Sequence, residues 1–383
     1  MKLRPLAVVC SVVWPAVALA ACGGSDEGAA PTTASDVATT VPAGTGTALP
    51  ATTSPATTLP ATTVPATTSP ATTAPETTRP ANTQPASTAV PAPTRPPSVD
   101  ELLASGRVLN IAHAGGDQDF PHSTMYAYRQ AVAAGADVLE MDVQLTGDGV
   151  LIVQHDADTA KTTEAALVVA DTDLATLQAL DNAYWFSPEC WPCHDLAADA
   201  YTFRGVRTGE VAAPAGFAPD DFRIVTLAEL AAAFPALPFD IEIKGEGDAG
   251  LAVAAALATE LAELDRLDSS VVASFDSAVI SAFHELAPTV DVSPGVTDMA
   301  GWLLGGAPLP EHYRIVQIPP FYGDIEVLAP ANLATAAAAG VTIWVWPNDA
   351  GTQENEAYYR ELVAMGVGGI IAGRPAAAAA AIG

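Results

Sequence analysis

Val138-Leu139-Glu140-Met141-Asp142-Val143-Gln144-Leu145 reads as a β-strand, yet it carries two carboxylates two residues apart. Side chains along a strand alternate between faces, so Glu140 and Asp142 share one. Strands buried on both sides should be continuously apolar. A hundred residues on, Asp240-Ile241-Glu242-Ile243-Lys244 repeats the anomaly with three charges. Burying such groups is costly unless they are paired or bind a metal. A parallel barrel offers them a natural place at the mouth formed by the C-terminal ends of its strands.

Outward from these two segments, short apolar runs alternate with Ala-rich helical patterns. Candidate strands fall at 108–113, 138–145, 151–155, 239–244, 271–275, 290–293, 315–318, 342–346 and 369–371. Candidate helices include 125–134, 227–233, 251–264, 278–286 and 330–339, and an Ala-rich tail after Pro375 reads as a final helix. Strand-helix alternation predicts a parallel sheet with helices outside. The predicted fold is α/β, a TIM (β/α)8 barrel spanning 100–383, somewhat longer than such barrels usually are. Nine candidates compete for eight positions. Gly147-Asp148-Gly149 is a tight-turn signal, so 151–155 is either a stave or half of a hairpin.

Chemistry-bearing residues gather at the ends of these strands. His113 closes the first, and His155-Asp156 closes a later one; two histidines at one mouth suit general acid and base roles. Glu140, Asp142 and Glu242 are oxygen donors of the kind that hold Ca2+ or Mg2+. The competing reading is a charge-paired network in which Lys244 neutralises a carboxylate. Lys244 is also placed to stabilise developing phosphoryl charge. His122, His194, His284 and His312 read as structural or surface residues.

The N-terminal hundred residues differ in kind. Lys2 and Arg4 precede an apolar stretch that ends in Leu19-Ala20-Ala21-Cys22. This looks like a lipoprotein signal over 1–21, with Cys22 lipidated. From 22 to 99 runs a Pro/Ala/Thr-rich spacer with prolines at every fifth residue from Pro50 to Pro85. It has little to bury and is expected to stay disordered. In extended polyproline form, roughly 70 residues would reach roughly 200 Å. The expected location is outside the cell, at the outer face of the membrane or the cell wall, with the lipid as the sole membrane contact. Cys190-Trp191-Pro192-Cys193-His194 has three readings. An exported chain favours a local Cys190–Cys193 disulfide, with haem attachment and zinc as the others.

Charge excludes further classes. Across 383 residues, 15 Lys+Arg stand against 44 Asp+Glu, a net charge of −29. Such a chain lacks the clustered cations that nucleic acid or anionic membrane requires, and no protein partner is predicted.

The ordered blocks resemble the glycerophosphodiester phosphodiesterase family. They are Ile111-Ala112-His113-Ala114-Gly115, Pro121-His122-Ser123-Thr124, Gly135 to Val143, Thr146-Gly147-Asp148-Gly149, Val153-Gln154-His155-Asp156, Thr226 to Leu230, Ile241-Glu242-Ile243-Lys244, Ala273-Ser274-Phe275 and Gly366 to Ile371. The resemblance implies a TIM barrel, a divalent metal (Ca2+ or Mg2+) and hydrolysis of a small-molecule glycerophosphodiester to an alcohol and glycerol 3-phosphate. It assigns His113 and His155 to acid-base catalysis and Glu140, Asp142 and Glu242 to the metal. It also places Lys244 at the phosphate and Trp346 at the substrate. The pattern departs at four points. His-Arg-Gly becomes His113-Ala114-Gly115, Glu-Asn-Thr becomes His122-Ser123-Thr124, and Thr-Asp becomes Ala372-Gly373. The tryptophan region, Trp344 to Asn348, has altered spacing. An insertion at about 157–222 contains Arg204 and Arg207, either of which is expected to replace the cation lost at Ala114. Two other activities fit the same pattern: a barrel phospholipase acting on lysophospholipid or sphingolipid, and a decayed barrel kept as a binding lipoprotein.

Overall fold

The computed structural model describes residues 95–383. The expected signal, the lipidated Cys22 and the spacer up to residue 94 lie outside the described residues. The first described helix, α1 (Val99–Ala104), is set by its sequence. The Ser98 hydroxyl accepts from the Glu101 amide at 3.2 Å, and the Glu101 carboxylate accepts from the Ser98 amide at 2.8 Å. This reciprocal cap satisfies two otherwise orphaned donors.

Eight parallel staves follow: β1 (Leu109–Ala112), β2 (Val138–Leu145), β4 (Phe239–Ile243), β5 (Ser270–Ala273), β6 (Asp291–Val292), β7 (Ile315–Ile318), β10 (Thr342–Val345) and β11 (Gly369–Ala372). The ninth candidate, β3 (Leu151–Val153), is half of a hairpin, antiparallel to β2 with Val143 opposite Val153. A small ribbon, β8 (Phe321–Tyr322) with β9 (Ile325–Glu326), stands apart. Helices α2 (Met125–Ala133), α3 (Leu174–Ala179), α4 (Leu227–Ala233), α5 (Gly247–Glu263), α6 (Ser277–Leu286), α7 (Val296–Leu303), α8 (Pro330–Ala339), α9 (Glu356–Met365) and α10 (Pro375–Ile382) complete the chain.

The staves run in the order β6-β5-β4-β2-β1-β11-β10-β7. Side chains close the seam between β6 and β7: the Gln317 amide donates to Ser293 Oγ at 3.0 Å, and Arg314 Nε donates to Asp291 at 2.7 Å. Inward-facing residues change character along the barrel axis. At the bottom, Leu109, Ile111, Val138, Val271, Ile315, Trp344 and Ile371 pack together, plugged by Val99 and Leu102 of α1. Outward positions of the same strands, such as Leu139, Met141, Phe239 and Ile241, pack against the helices. The inward parity of β2 and β4 therefore climbs from Val138 to Glu140 and Asp142, and through Asp240 to Glu242 and Lys244. The apolar core ends where the charged mouth begins.

The insertion leaves the barrel after β3 and returns before α4. Its ends stay close together, since the Val153 amide donates to the Val225 carbonyl at 2.9 Å. It is held by an aromatic cluster, with Tyr126 ring centroids 4.6–4.9 Å from Phe217, Phe222 and Phe203. Cys190 and Cys193 form a disulfide. No helix among the described residues is long and apolar enough to cross a membrane.

Candidate active site

Strand register brings the carboxylates together. Glu140 lies opposite Asp240, and Asp142 lies opposite Glu242. All four occupy the inward face of two adjacent strands. Lys244 Nζ bridges the upper pair, 2.9 Å from Asp142 Oδ1 and 2.7 Å from Glu242 Oε1. Burial opposes the lysine's charge, but the two carboxylates outweigh it and hold the ammonium above its ordinary pKa. Asp142 is likewise penalised by burial, yet Lys244 and the neighbouring imidazoles keep it ionised. Its second oxygen, Oδ2, is buried and has no hydrogen-bond partner.

Glu140 is the more readily protonated of this pair. Burial first, and then the adjacent Asp142 charge, raise it well above the carboxylate range. Glu140 Oε2 accepts from the Ala114 amide at 2.6 Å. That amide is aimed by an unusual backbone: Ala114 has φ +45° in the tight turn after β1. A left-handed alanine costs about 1–2 kcal/mol, strain of a kind that clusters at functional sites. Burial also pushes Asp240 up to about 7, against the 2.7 Å hydrogen bond from Gln317.

The two histidines stand at the same mouth, each with Nδ1 held by an acid. His113 Nδ1 is 3.0 Å from Asp117 Oδ1, and His155 Nδ1 contacts Asp156 Oδ1. The Gln144 side chain fixes the turn at His155 by donating to the carbonyls of Gln154, His155 and Asp156 at 2.8, 3.2 and 2.6 Å. Burial works against protonation of His113, but Asp117, Glu140 and Asp142 together hold it well above the usual histidine value.

His122, expected to be structural, sits between them. Its ring centroid is 6.5 Å from His113 and 6.1 Å from His155, edge-on to both. Nδ1 is 2.7 Å from Ser123 Oγ. Burial, and then the nearby Lys161 ammonium, push its pKa down to about 3, so it is a neutral imidazole. Trp191, from the disulfide loop, stands 6.2 Å from it. Trp346 reaches the site through Phe275. Its ring lies 5.9 Å from Phe275, and Phe275 lies 6.0 Å from Lys244 Nζ.

The residue that replaces the expected Thr-Asp aspartate, Gly373, leaves room that others use. A Cβ there would meet Gln118 Cγ at 2.5 Å, Asp117 Oδ1 at 2.7 Å and Glu354 Cδ at 3.1 Å. Glu354 accepts from the Gly373 amide at 2.9 Å and from the Tyr359 hydroxyl. Burial, reinforced by Asp117, pushes it up to about 7. Neither acid was singled out by sequence motif.

Arg204 and Arg207 are engaged elsewhere. Arg204 is caged by Tyr184, Trp185 and Tyr201, 4.1, 4.6 and 3.9 Å from their ring centroids, and its Nε donates to the Tyr184 carbonyl. Arg207 donates to the Gln178 carbonyl at 2.8 Å and pairs with Asp220 at 3.2 Å. These contacts engage both within the insertion, whereas one of them was expected at the mouth. Among the described residues, no group of three or more His, Cys, Asp or Glu side chains has the arrangement of a metal cage; the positive charge at Asp142 and Glu242 is Lys244. A cavity of about 320 Å³ opens at the opposite, N-terminal end of the barrel, lined by residues including Leu102, Leu109 and Trp344, away from this chemistry.

Residues 113–377 match the glycerophosphoryl diester phosphodiesterase family. A curated glycerophosphodiester phosphodiesterase of Bacillus subtilis is 38% identical over 100 residues, 26% of this chain and 34% of that protein. One of Caldanaerobacter subterraneus is 40% identical over 80 residues, 21% of this chain and 33% of that protein. The chain thus spans about a third of the length of these curated relatives. Solved structures extend the likeness across the barrel. The glycerophosphodiester phosphodiesterase of Agrobacterium tumefaciens aligns with TM-score 0.51 and 21% identity, over 70% of this chain and 98% of that one. An Oleispira antarctica phosphodiesterase in complex with the product sn-glycerol-3-phosphate aligns with TM-score 0.51 and 18% identity, over 72% and 96%. At these identities the structural likeness speaks for the fold.

Proposed function

Because the chain belongs to the glycerophosphoryl diester phosphodiesterase family, we propose that it hydrolyses a glycerophosphodiester to an alcohol and glycerol 3-phosphate. The observation that carries this reading is the pair of acid-held imidazoles facing a buried carboxylate set on one barrel mouth. The activity named for the curated relatives, and the product bound to the Oleispira protein, agree with it.

The two imidazoles divide the proton work by environment. His113, whose pKa Asp117 and the neighbouring carboxylates raise against burial, donates from Nε2 to the leaving alcohol oxygen. His155, oriented through Nδ1 by Asp156, takes the proton of the attacking water or substrate hydroxyl. The tautomers follow from the hydrogen-bond partners. Positioned proton transfer of this kind contributes on the order of 10²–10⁴ in rate. His122, neutral, adds a hydrogen-bonding edge between the two without competing for the proton.

The donors also fit a hard divalent cation. They are all carboxylate oxygens, and Asp142 Oδ2 is a buried lone-pair donor with no other use. Glu140, Asp142 and Glu242 would hold Ca2+ or Mg2+, which when bound supplies Lewis-acid stabilisation of phosphoryl charge. Location belongs to the same proposal. The signal ending at Cys22 supports export and lipid anchoring, and the Cys190–Cys193 disulfide suits an oxidising compartment.

The test is a coupled glycerol 3-phosphate release assay on the Cys22→Ser chain, using glycerophosphocholine with Ca2+, Mg2+ or chelator, beside His113→Ala. Expected is turnover that both chelator and substitution abolish. Turnover indifferent to both rejects the mechanism, and no release from any glycerophosphodiester overturns the activity.

A further inference from the structure

Residue 114, where the resemblance expects an arginine, is Ala, so a phosphoryl group entering this mouth finds no side-chain cation beside His113. Among the described residues, every arginine pairs with a carboxylate or donates to backbone carbonyls, and Arg204 Nη2, which has no hydrogen-bond partner, is buried in a guanidinium caged by Tyr184, Trp185 and Tyr201. The described residues contain two lysines, Lys161 and Lys244, and Lys244 is committed to Asp142 and Glu242.

Lys161 is differently placed. Its only carboxylate neighbour among the described residues is Asp156 Oδ1 at 4.0 Å, an oxygen already held by His155 Nδ1. That separation exceeds hydrogen-bond distance, so the ammonium has unused donors. The side chain is 24% exposed. Its charge acts on both His122 and Asp156, one residue lying between the two catalytic imidazoles and the other orienting His155. The ammonium therefore lies beside the Asp156–His155 pair, 4.0 Å from the carboxylate that orients the imidazole.

The backbone beneath it is built rather than loose. The Thr163 amide donates to the Thr159 carbonyl at 2.9 Å, and Thr163 Oγ1 donates to the Ala165 carbonyl at 2.8 Å. Gln154 Nε2 reaches Thr162 Oγ1 at 3.2 Å, and Trp185 Nε1 donates to the Thr163 carbonyl at 2.8 Å. The Lys161 carbonyl itself lies 3.2 Å from His194 Nε2.

We propose that Lys161 is the phosphate-contacting cation of this protein, donating to a non-bridging phosphoryl oxygen of substrate and product in place of the arginine absent at Ala114. This rests on the phosphodiesterase reading, but it is tested apart from turnover. Calorimetric titration of the Cys22→Ser chain with glycerol 3-phosphate, with and without Ca2+, is compared for wild type, Lys161→Met and Lys161→Arg. Steady-state kinetics and thermal denaturation of the same proteins run alongside. A charge-assisted hydrogen bond contributes enough for roughly a 10- to 100-fold effect. Lys161→Met is therefore expected to weaken binding and raise KM by that factor, with unchanged melting temperature, and Lys161→Arg to recover most of it. Equal affinity in wild type and Lys161→Met overturns the proposal. So does an equal loss in both variants accompanied by a lowered melting temperature. Binding that depends on Lys161 in a protein that hydrolyses no diester sustains this proposal while removing the activity it was framed within.

Discussion

Lys244 Nζ lies 2.9 Å from Asp142 Oδ1, and the other oxygen of that carboxylate is buried without a partner. One aspartate thus faces a resident cation on one side and an unfilled coordination need on the other. Removing the ammonium leaves a buried charge uncompensated, which costs about 3–5 kcal/mol. Lys244→Met is expected to lose that much stability in chelator by urea denaturation, and to recover part of it when Ca2+ is added. A loss below about 1 kcal/mol would mean that Asp142 simply takes up a proton.

The His113–Asp117 contact gives a pH signature with a definite sign. His113 is raised in the folded state, so its contribution is complete below about 6.5, the unfolded value, and is lost as pH rises through the higher folded value. Asp117 is lowered to about 2: burial resists ionisation, and His113 overcomes it. Its contribution is complete above about 3.9 and is lost as pH falls toward the folded value. Asp117→Asn should therefore destabilise most between about pH 4 and 6.5. It should also move the alkaline limb of kcat/KM to lower pH, because the acid loses its proton earlier. Melting curves across pH and a pH–rate profile read both effects, and an unmoved alkaline limb would assign the acid role elsewhere.

Gly373 stands where the family places an aspartate, and here the aspartate is predicted to be harmful. Even a methyl group would sit 2.7 Å from Asp117 Oδ1, an overpacking that costs about 1–3 kcal/mol. A carboxylate adds like-charge repulsion from Asp117. Gly373→Ala should lower stability and partly reproduce the Asp117→Asn pH shift. Gly373→Asp should be worse than Gly373→Ala, though it restores the family residue. Combining it with Asp117→Ala and Glu354→Ala should recover activity; no recovery in the triple variant would show that the space is not interchangeable.

The disulfide loop should matter little to the barrel. A closure of three residues' separation restricts the unfolded chain by about 2 kcal/mol at most. Cys190→Ser with Cys193→Ser is expected to lose no more than that in calorimetry. It should raise KM more than it lowers kcat, because Trp191 beside His122 is freed while both catalytic imidazoles keep their acids. A collapse of kcat at unchanged KM would contradict this.

Most of the architecture was legible because barrel staves are short apolar runs, and the two charged ones betrayed themselves by breaking that rule. The hairpin was flagged by Gly147-Asp148-Gly149 but not decided, since whether β3 pairs antiparallel to β2 depends on the partner strand. The acids at the mouth were partly readable. Asp240 shares the two-residue periodicity of Glu242, and its charge marks the strand as anomalous without marking its place opposite Glu140. Asp117 and Glu354 had no local signal: one lies in a loop, the other reaches the site through Gly373, and only the folded chain joins them. His122 looked structural because it ends no strand, while its meaning comes from the rings on either side. Arginine chemistry pointed to Arg204 and Arg207, but three aromatic rings and two backbone carbonyls claim them first.

The insertion departs after β3 and comes back beside it, with Val153 and Val225 joined by one backbone hydrogen bond. A segment with adjoining ends is exchangeable, because a longer or shorter version requires no stave to move. The imidazoles and the Asp142–Glu242 tier ride on the barrel, whereas Trp191 and Lys161 ride on this appendage. Descendants of such a protein can drift in what they accept while what they do to it stays constant.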